Sequence, residues 1–366
     1  MNQAVEIFRG AAALFVLAHH YAYPLHESHP HLPLEGMHFF HSGVDLFFVI
    51  TGFVFSPYLV GQKPETVAAF VTRRVFRIYP LYLFSLLASS ALMLDKPLQH
   101  GGLILKHLLF LQTTGTFEEA EKISLVYWTL PVEMEYYLLI AAFLALPKAV
   151  LAALKRRARS PYFGAGLCLA FSGLGLALFH LKPDVRYQDW ALGQAHLPTL
   201  LGEFLLGVVV YQAQDGLSRC APARRILAVS GLALLCSLFA YYALCHGEND
   251  ISRPFGWFNL LCALGYAQLM ASALAAWKPE ALRRWPARAG VWLGTVSYPI
   301  YLFHLPVITT LSKLLPGMAA EFRVALGIAA TLALAGLAHR AIEAPCRIFG
   351  RRLAGRHRPI PPHPQT

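Results

Sequence analysis

The chain has 366 residues, of which 56% are hydrophobic and only 14% are charged, and its mean hydropathy is +0.48. That composition excludes an ordinary water-soluble domain, in which about a quarter of the residues are charged. The formal charge of +11 reads here as loop topology and not as nucleic-acid binding, because cationic residues of membrane proteins collect on the cytoplasmic side.

Apolar runs of about twenty residues recur along the chain, the length that crosses a ~30 Å hydrocarbon core at ~1.5 Å per helical residue. In chain order they predict ten spans, over 8–24, 40–61, 78–95, 125–147, 161–181, 194–213, 226–245, 256–277, 289–311 and 321–342. The first carries Arg9, His19 and His20 and lacks a small-residue cleavage site, so it is expected to persist and not to be removed as a signal peptide. Residues 101–113 are apolar but too few to cross, which suits an interfacial or re-entrant piece. With a cytoplasmic N-terminus, ten crossings place 23 of the 31 Lys and Arg residues inside. Letting 101–113 cross would turn every later basic cluster outward, against the positive-inside rule.

The expected fold is therefore an all-α polytopic membrane bundle with about ten transmembrane helices and both termini cytoplasmic. One membrane domain covers residues 1–345, and residues 346–366 form a basic, Pro-rich cytoplasmic tail. The six cysteines form no C-x-x-C pair and read as small buried hydrophobes, implying neither disulfide nor metal. No internal repeat is visible, which disfavours inverted-repeat transporters.

Ionisable groups at membrane depth are costly and mark interior or functional positions. Arg9 and His20, eleven residues apart, share a helix face and stand about 16 Å apart along the axis. Counting from span ends, His20 and Glu133 fall at the same depth, and Asp45 and His304 lie nearer the outer surface. A histidine level with a carboxylate suits general-base chemistry. Glu135, Glu203 and His339, taken singly, read as structural hydrogen-bonding groups. Arg73, Arg74 and Arg77 precede Pro80, with Arg77 sharing one helix face with either of the others, an arrangement that suits either topological anchoring or phosphate binding. The outer loop with His26, Glu27, His29, His31, Glu35, His38 and His41 is spaced too irregularly to fix metal ligands on one face, and it reads as pocket lining or solvent-facing histidine.

In order along the chain, EIFRGAAALFVLAHH, GVDLFFVITGFVFS, RRVFRIYPLY, YWTLPVEMEYYL, GTVSYPIYLFHLPV and IEAPCR resemble the motifs of the acyltransferase-3 family of integral-membrane O-acyltransferases. Thr51 and Thr129 stand where the family pattern has serine. The resemblance implies an acyl-CoA co-substrate, with no permanently bound cofactor. Its phosphates would lie near Arg9, Arg74 and Arg77, with the pantetheine arm running toward His20. His20 would act as general base supported by Glu133, and Asp45, Ser297, Tyr298, Tyr301 and His304 would line or support the pocket.

The expected activity is transfer of an acyl group, acetyl foremost, from cytosolic acyl-CoA to a carbohydrate hydroxyl outside the cytoplasm or on a lipid carrier, in the bacterial cytoplasmic membrane. Outer loops 25–39, 96–124, 182–193 and 246–255 would form the acceptor's approach. The partners are then acyl-CoA, a carbohydrate acceptor and membrane lipid, with no nucleic acid. The competing reading is a transporter or flippase using Asp45, Glu133 and His304 as ligands.

Overall fold

The computed structural model describes residues 3–31, 34–180, 195–245, 256–278, 280 and 284–355. The expected outer loops 182–193 and 246–255 and the end of the tail, 356–366, lie outside them. All regular structure among the described residues is helical: α1 Gln3–Ser28, α2 Gly43–Leu59, α3 Val67–Met93, α4 Gly101–Leu108, α5 Phe117–Glu121, α6 Thr129–Ala145, α7 Lys148–Ala158 and α8 Pro161–His180, then α9 Leu197–Arg219, α10 Ala221–Cys245, α11 Trp257–Ala276, α12 Trp285–Thr295, α13 Ser297–Leu314, α14 Ala320–Ala338 and α15 Ala344–Gly355.

Local chemistry sets several boundaries. Thr66 caps α3 by accepting from the Ala69 amide at 3.2 Å, satisfying one of the orphan donors of a helix start. Pro147 forces Leu146 into an extended conformation and ends α6, so that α7 leaves at 120°. A second break at Val296 turns α13 by 72° from α12 and makes Ser297 the first residue of its helix.

Six stretches are long and apolar enough to cross a bilayer, and up to eight qualify if each of these two bent pairs is one span. Each of the ten expected spans coincides with a helix or a bent helix pair. α1 and α9 lie outside the qualifying set because polar residues, among them Arg9, His20 and Glu203, dilute their apolar runs. α4, at eight residues, spans only about 12 Å and is too short to cross, as expected. Large apolar side chains point outward along several helices, with Leu138 at 67%, Leu169 at 75% and Val229 at 69% exposure. A surface of that kind is matched by lipid and not by water.

α2 sits near the centre, against α1, α9 and α11, while α3 contacts α6, α13 and α15. Close crossings hold these positions. A Cβ on Gly52 would run into the Phe204 carbonyl of α9, and one on Gly207 into the Val49 carbonyl of α2. Gly294 of α12 meets the Glu6 backbone in the same way, which brings the start of α1 tightly against the α12–α13 break. Small residues at crossings let membrane helices pack backbone to backbone.

Of the cysteines, Cys168 and Cys262 are buried, whereas Cys220 and Cys236 are exposed and Cys346 is half-buried. Expectation and structure thus differ at these three: Cys236 lies on the outer face of the apolar helix α10, where lipid needs no burial in protein, Cys220 lies between α9 and α10, and Cys346 is on the basic helix α15. The segment expected as tail begins as α15, packed on α3.

Gly52→Ala should lower stability by about 1–3 kcal/mol through overpacking, read as a fall in the thermal midpoint of detergent-purified protein. Gly102→Ala, whose added carbon meets nothing within 4 Å, should not. Equal midpoints for the two variants would show that the α2–α9 crossing is loose.

Candidate active site

Two polar regions among the described residues gather most of the expected site residues. The first is a cavity of about 520 Å³, and its lining includes Arg9, Lys63, Arg73, Arg74, Arg77, Arg347 and Arg351 together with Glu133, Thr129, Tyr137, Ser297, Tyr298 and Tyr301. The volume lies within the usual range for a small-molecule site. Helix α3 supplies three of the arginines, adjacent Arg73 and Arg74 and, one turn on, Arg77; α1 brings Arg9, and α15 brings Arg347 and Arg351.

The cations differ in how they are held. Arg73 pairs with Glu65, Arg77 with Glu343, and Arg9 with Glu6 at 3.4 Å. Glu343, fully buried, also meets His339 at 2.8 Å and Arg347 at 3.6 Å. It sits on the one π-helical turn among the described residues, His339–Glu343. Such turns are frequent at functional sites. Arg74 has no carboxylate partner among the described residues. Its guanidinium lies over Phe55 at 5.1 Å and Tyr137 at 5.7 Å, and its Nε has no hydrogen-bond acceptor. Arg77 likewise lies over Tyr298 at 5.7 Å. Lys63, in the loop between α2 and α3, has its ammonium pulled below its usual pKa by burial and by Arg73 and Arg74 beside it. The cavity is thus a concentrated positive field.

Deeper in, Glu133 accepts a hydrogen bond from Tyr137. Tyr298 donates to the Ile78 carbonyl at 3.0 Å, and Tyr301 donates to the Val126 carbonyl at 2.8 Å and meets Thr129 Oγ1 at 2.9 Å. Both tyrosine hydroxyls are thereby committed. The Ser297 hydroxyl, fully buried, has no partner.

The second region is a cluster of imidazoles. The His20 ring stands 5.1 Å from His304 and 4.7 Å from His19, and His19 is flanked by Tyr23, His38 and His41. His304 Nδ1 bonds the Ile300 carbonyl at 3.1 Å. A carbonyl can only accept, so the ring proton is on Nδ1 and the unpartnered Nε2 presents a lone pair. Tyr301 joins the regions: it lines the cavity, its ring lies 6.0 Å from His304, and it packs edge-on against Phe47 at 5.9 Å. His20 is not among the residues lining the cavity.

The structure therefore brings Arg9, Arg74, Arg77, Glu133, Ser297, Tyr298 and Tyr301 into one cavity and sets His20 beside His304 behind Tyr301. Glu133 meets Tyr137; no contact with His20 is found among the described residues. Asp45 lies elsewhere, bonded by Asn259 at 3.0 Å and by Glu203 between α2, α9 and α11. Glu135 and Glu203 make hydrogen bonds between elements, Glu135 accepting from the Leu197 amide at 2.6 Å, and His339 bonds Glu343. Of the outer histidines, His29 pairs with Glu321 and His31 is exposed. Among the described residues no three His, Cys, Asp or Glu side chains are grouped to hold a metal. Sequence reading missed Tyr137, Lys63, Arg347, Arg351 and the ion-pairing role of Glu343. The i, i+4 arginine spacing just past the Glu-x-Pro motif was the available signal.

A helical membrane bundle that gathers cations, a carboxylate, a free hydroxyl and paired imidazoles in its interior has the makings of a membrane enzyme. The chain belongs to the acyltransferase-3 family, whose acyltransferase domain matches residues 2–340, and is a membrane O-acyltransferase. It is 26% identical over 345 residues to the acyltransferase MdmB of Streptomyces mycarofaciens, covering 88% of this chain and 84% of that protein. It is 27% identical over 304 residues to the exopolysaccharide production protein ExoZ of Rhizobium meliloti (strain 1021), covering 80% and 82%. Against the putative peptidoglycan O-acetyltransferase YrhL of Bacillus subtilis (strain 168) it is 24% identical over 344 residues, 85% of this chain and 51% of that protein. No solved structure matches the chain significantly.

Removing one partner of a buried pair strands the other's charge, a loss of about 3–5 kcal/mol. Arg77→Gln, which leaves Glu343 without its closest cation, should therefore depress the thermal midpoint far more than Arg74→Gln, where only aromatic faces are lost. Equal shifts would mean that Glu343 is satisfied without Arg77.

Proposed function

We propose that the protein transfers an acetyl group from cytosolic acetyl-CoA to a hydroxyl of an extracytoplasmic or lipid-linked carbohydrate. In this reading it lies in the bacterial cytoplasmic membrane, with ten crossings and both termini cytoplasmic. The observation that carries the reading is the convergence of Arg9, Arg74 and Arg77 on one cavity whose lining residue Tyr301 stands 6.0 Å, ring to ring, from His304, itself beside His20. Guanidinium groups suit a diphosphate, and of these three Arg74, held by aromatic faces, is the one with no carboxylate partner among the described residues. The carbohydrate acceptor and the acetyl group are supported by the names of the exopolysaccharide and peptidoglycan relatives.

The diphosphate binds at the arginines while the pantetheine arm runs along Glu133 and Ser297. Phe47 and Tyr301 turn aside to admit the thioester to the imidazoles. The acceptor hydroxyl approaches His20 from the histidine-rich side. His20 takes the hydroxyl proton as the oxygen attacks the thioester carbonyl, the carbon–sulfur bond breaks, and the proton passes to the departing thiolate. The products are the O-acetyl ester and the free thiol of coenzyme A. Ser297, the one candidate hydroxyl not already engaged, donates to the carbonyl oxygen as charge develops on it. His304 packs against the His20 ring and holds it in place by contact, and Glu133 supports the imidazolium electrostatically from the cavity side.

His20→Ala should abolish acetyl transfer while the protein remains membrane-inserted and folded; near-normal transfer would remove His20 from the base role. Arg74→Gln should weaken acetyl-CoA binding roughly tenfold or more, the size of a lost charge-assisted bond, measured by calorimetry on purified protein. An unchanged affinity would make Arg74 a topological anchor only.

A further inference from the structure

The cavity mouth holds more positive charge than Arg9, Arg74 and Arg77 account for. Helix α15 lies past residue 340, where the family match ends, yet it sends Arg347 and Arg351 into the same cavity. Four residues apart, the two share one helix face. The helix is fixed in place: a Cβ on Gly350 would press into the Phe76 side chain, and Phe349 packs edge-on against the Phe76 ring at 5.2 Å. Arg347 reaches Glu343 at 3.6 Å, but that carboxylate is already engaged by Arg77 and His339. Arg351 forms no ion pair among the described residues. Arg9 and Arg74 also face Arg347.

Like charges gathered on a rigid scaffold repel one another, more so where the surroundings are partly desolvated. Such a cluster is stabilised by an anion carrying charge in more than one place. Arg73 and Lys63, which also line the cavity, are less free to bind such an anion, because Arg73 is paired with Glu65 and bonded to the Tyr58 hydroxyl, and Lys63 lies over the Tyr58 ring at 4.8 Å.

We infer that Arg347 and Arg351 form a second anion subsite that takes a phosphate monoester on the donor's nucleotide, apart from the diphosphate held by Arg9, Arg74 and Arg77. The inference rests on the acyl-CoA reading and deepens it. Coenzyme A carries a 3′-phosphate on its ribose in addition to its diphosphate, and α15 makes that phosphate a determinant of donor choice.

The test compares binding of coenzyme A and 3′-dephospho-coenzyme A to the purified full-length protein by calorimetry. The wild type should bind coenzyme A roughly tenfold or more tightly than the dephospho form. The double variant Arg347→Gln/Arg351→Gln should bind both forms alike, near the wild-type affinity for the dephospho form. Arg352→Gln, on an exposed residue that does not line the cavity, should keep the preference and so control for surface charge. Equal wild-type binding of the two forms, or a preference undiminished in the double variant, overturns the subsite and leaves the donor reading standing. Absence of binding by either form to folded wild-type protein overturns both.

Discussion

A guanidinium group inside a helical membrane bundle must find a carboxylate, an aromatic face or a visiting anion, because the low-dielectric surroundings make a bare charge prohibitive. Glu343 answers that constraint for Arg77. The π turn at His339–Glu343 places this carboxylate against Arg77, Arg347 and His339 at once. The ion cluster ties the end of α14 to α3 and leads directly into α15. Arg74, satisfied only by Phe55 and Tyr137, is left electrostatically hungry at the centre of the same cavity.

From this follows a division of labour along the bundle. Cations occupy one end, and imidazoles cluster around His20 and His304 at the other. The α12–α13 break places Ser297 between them, just where Gly294 lets α1 approach closely. Tyr301 and Phe47 stand at the boundary, and both Tyr301 hydroxyl contacts run to the turn preceding α6 and to its first residue. Glu133 rises from the second turn of that helix. Tyr301 at the boundary and the Glu133 carboxylate are therefore both anchored to α6.

Much of this was legible in the sequence because lipid imposes strong patterns. Each long apolar run corresponds to a helix or a bent helix pair, and polar residues that interrupt the runs, such as Arg9 and His20, stood out against that background. The Arg74–Arg77 spacing announced a shared helix face. What stayed hidden depends on contacts between distant helices. Depth alone paired His20 with Glu133, but side-chain packing pairs His20 with His304 and Glu133 with Tyr137. Asp45 looked like pocket lining, whereas it is committed to Asn259 and Glu203. Residues 346–366 read as a basic, Pro-rich cytoplasmic tail, since nothing in a local window reveals that Gly350 and Phe349 seat α15 on Phe76.

The reading requires that displacement of Tyr301 open the arginine cavity to the His20–His304 pair. It is tested most directly by determining the structure of the protein with a non-transferable thioether analogue of acetyl-CoA bound in a lipid nanodisc. The expected result places the diphosphate against Arg9, Arg74 and Arg77 and the acyl carbon beyond a displaced Tyr301 ring, within reach of the His20 imidazole. Phosphates bound away from the arginines, or an acyl group halted on the cavity side of an unmoved Tyr301, would contradict it.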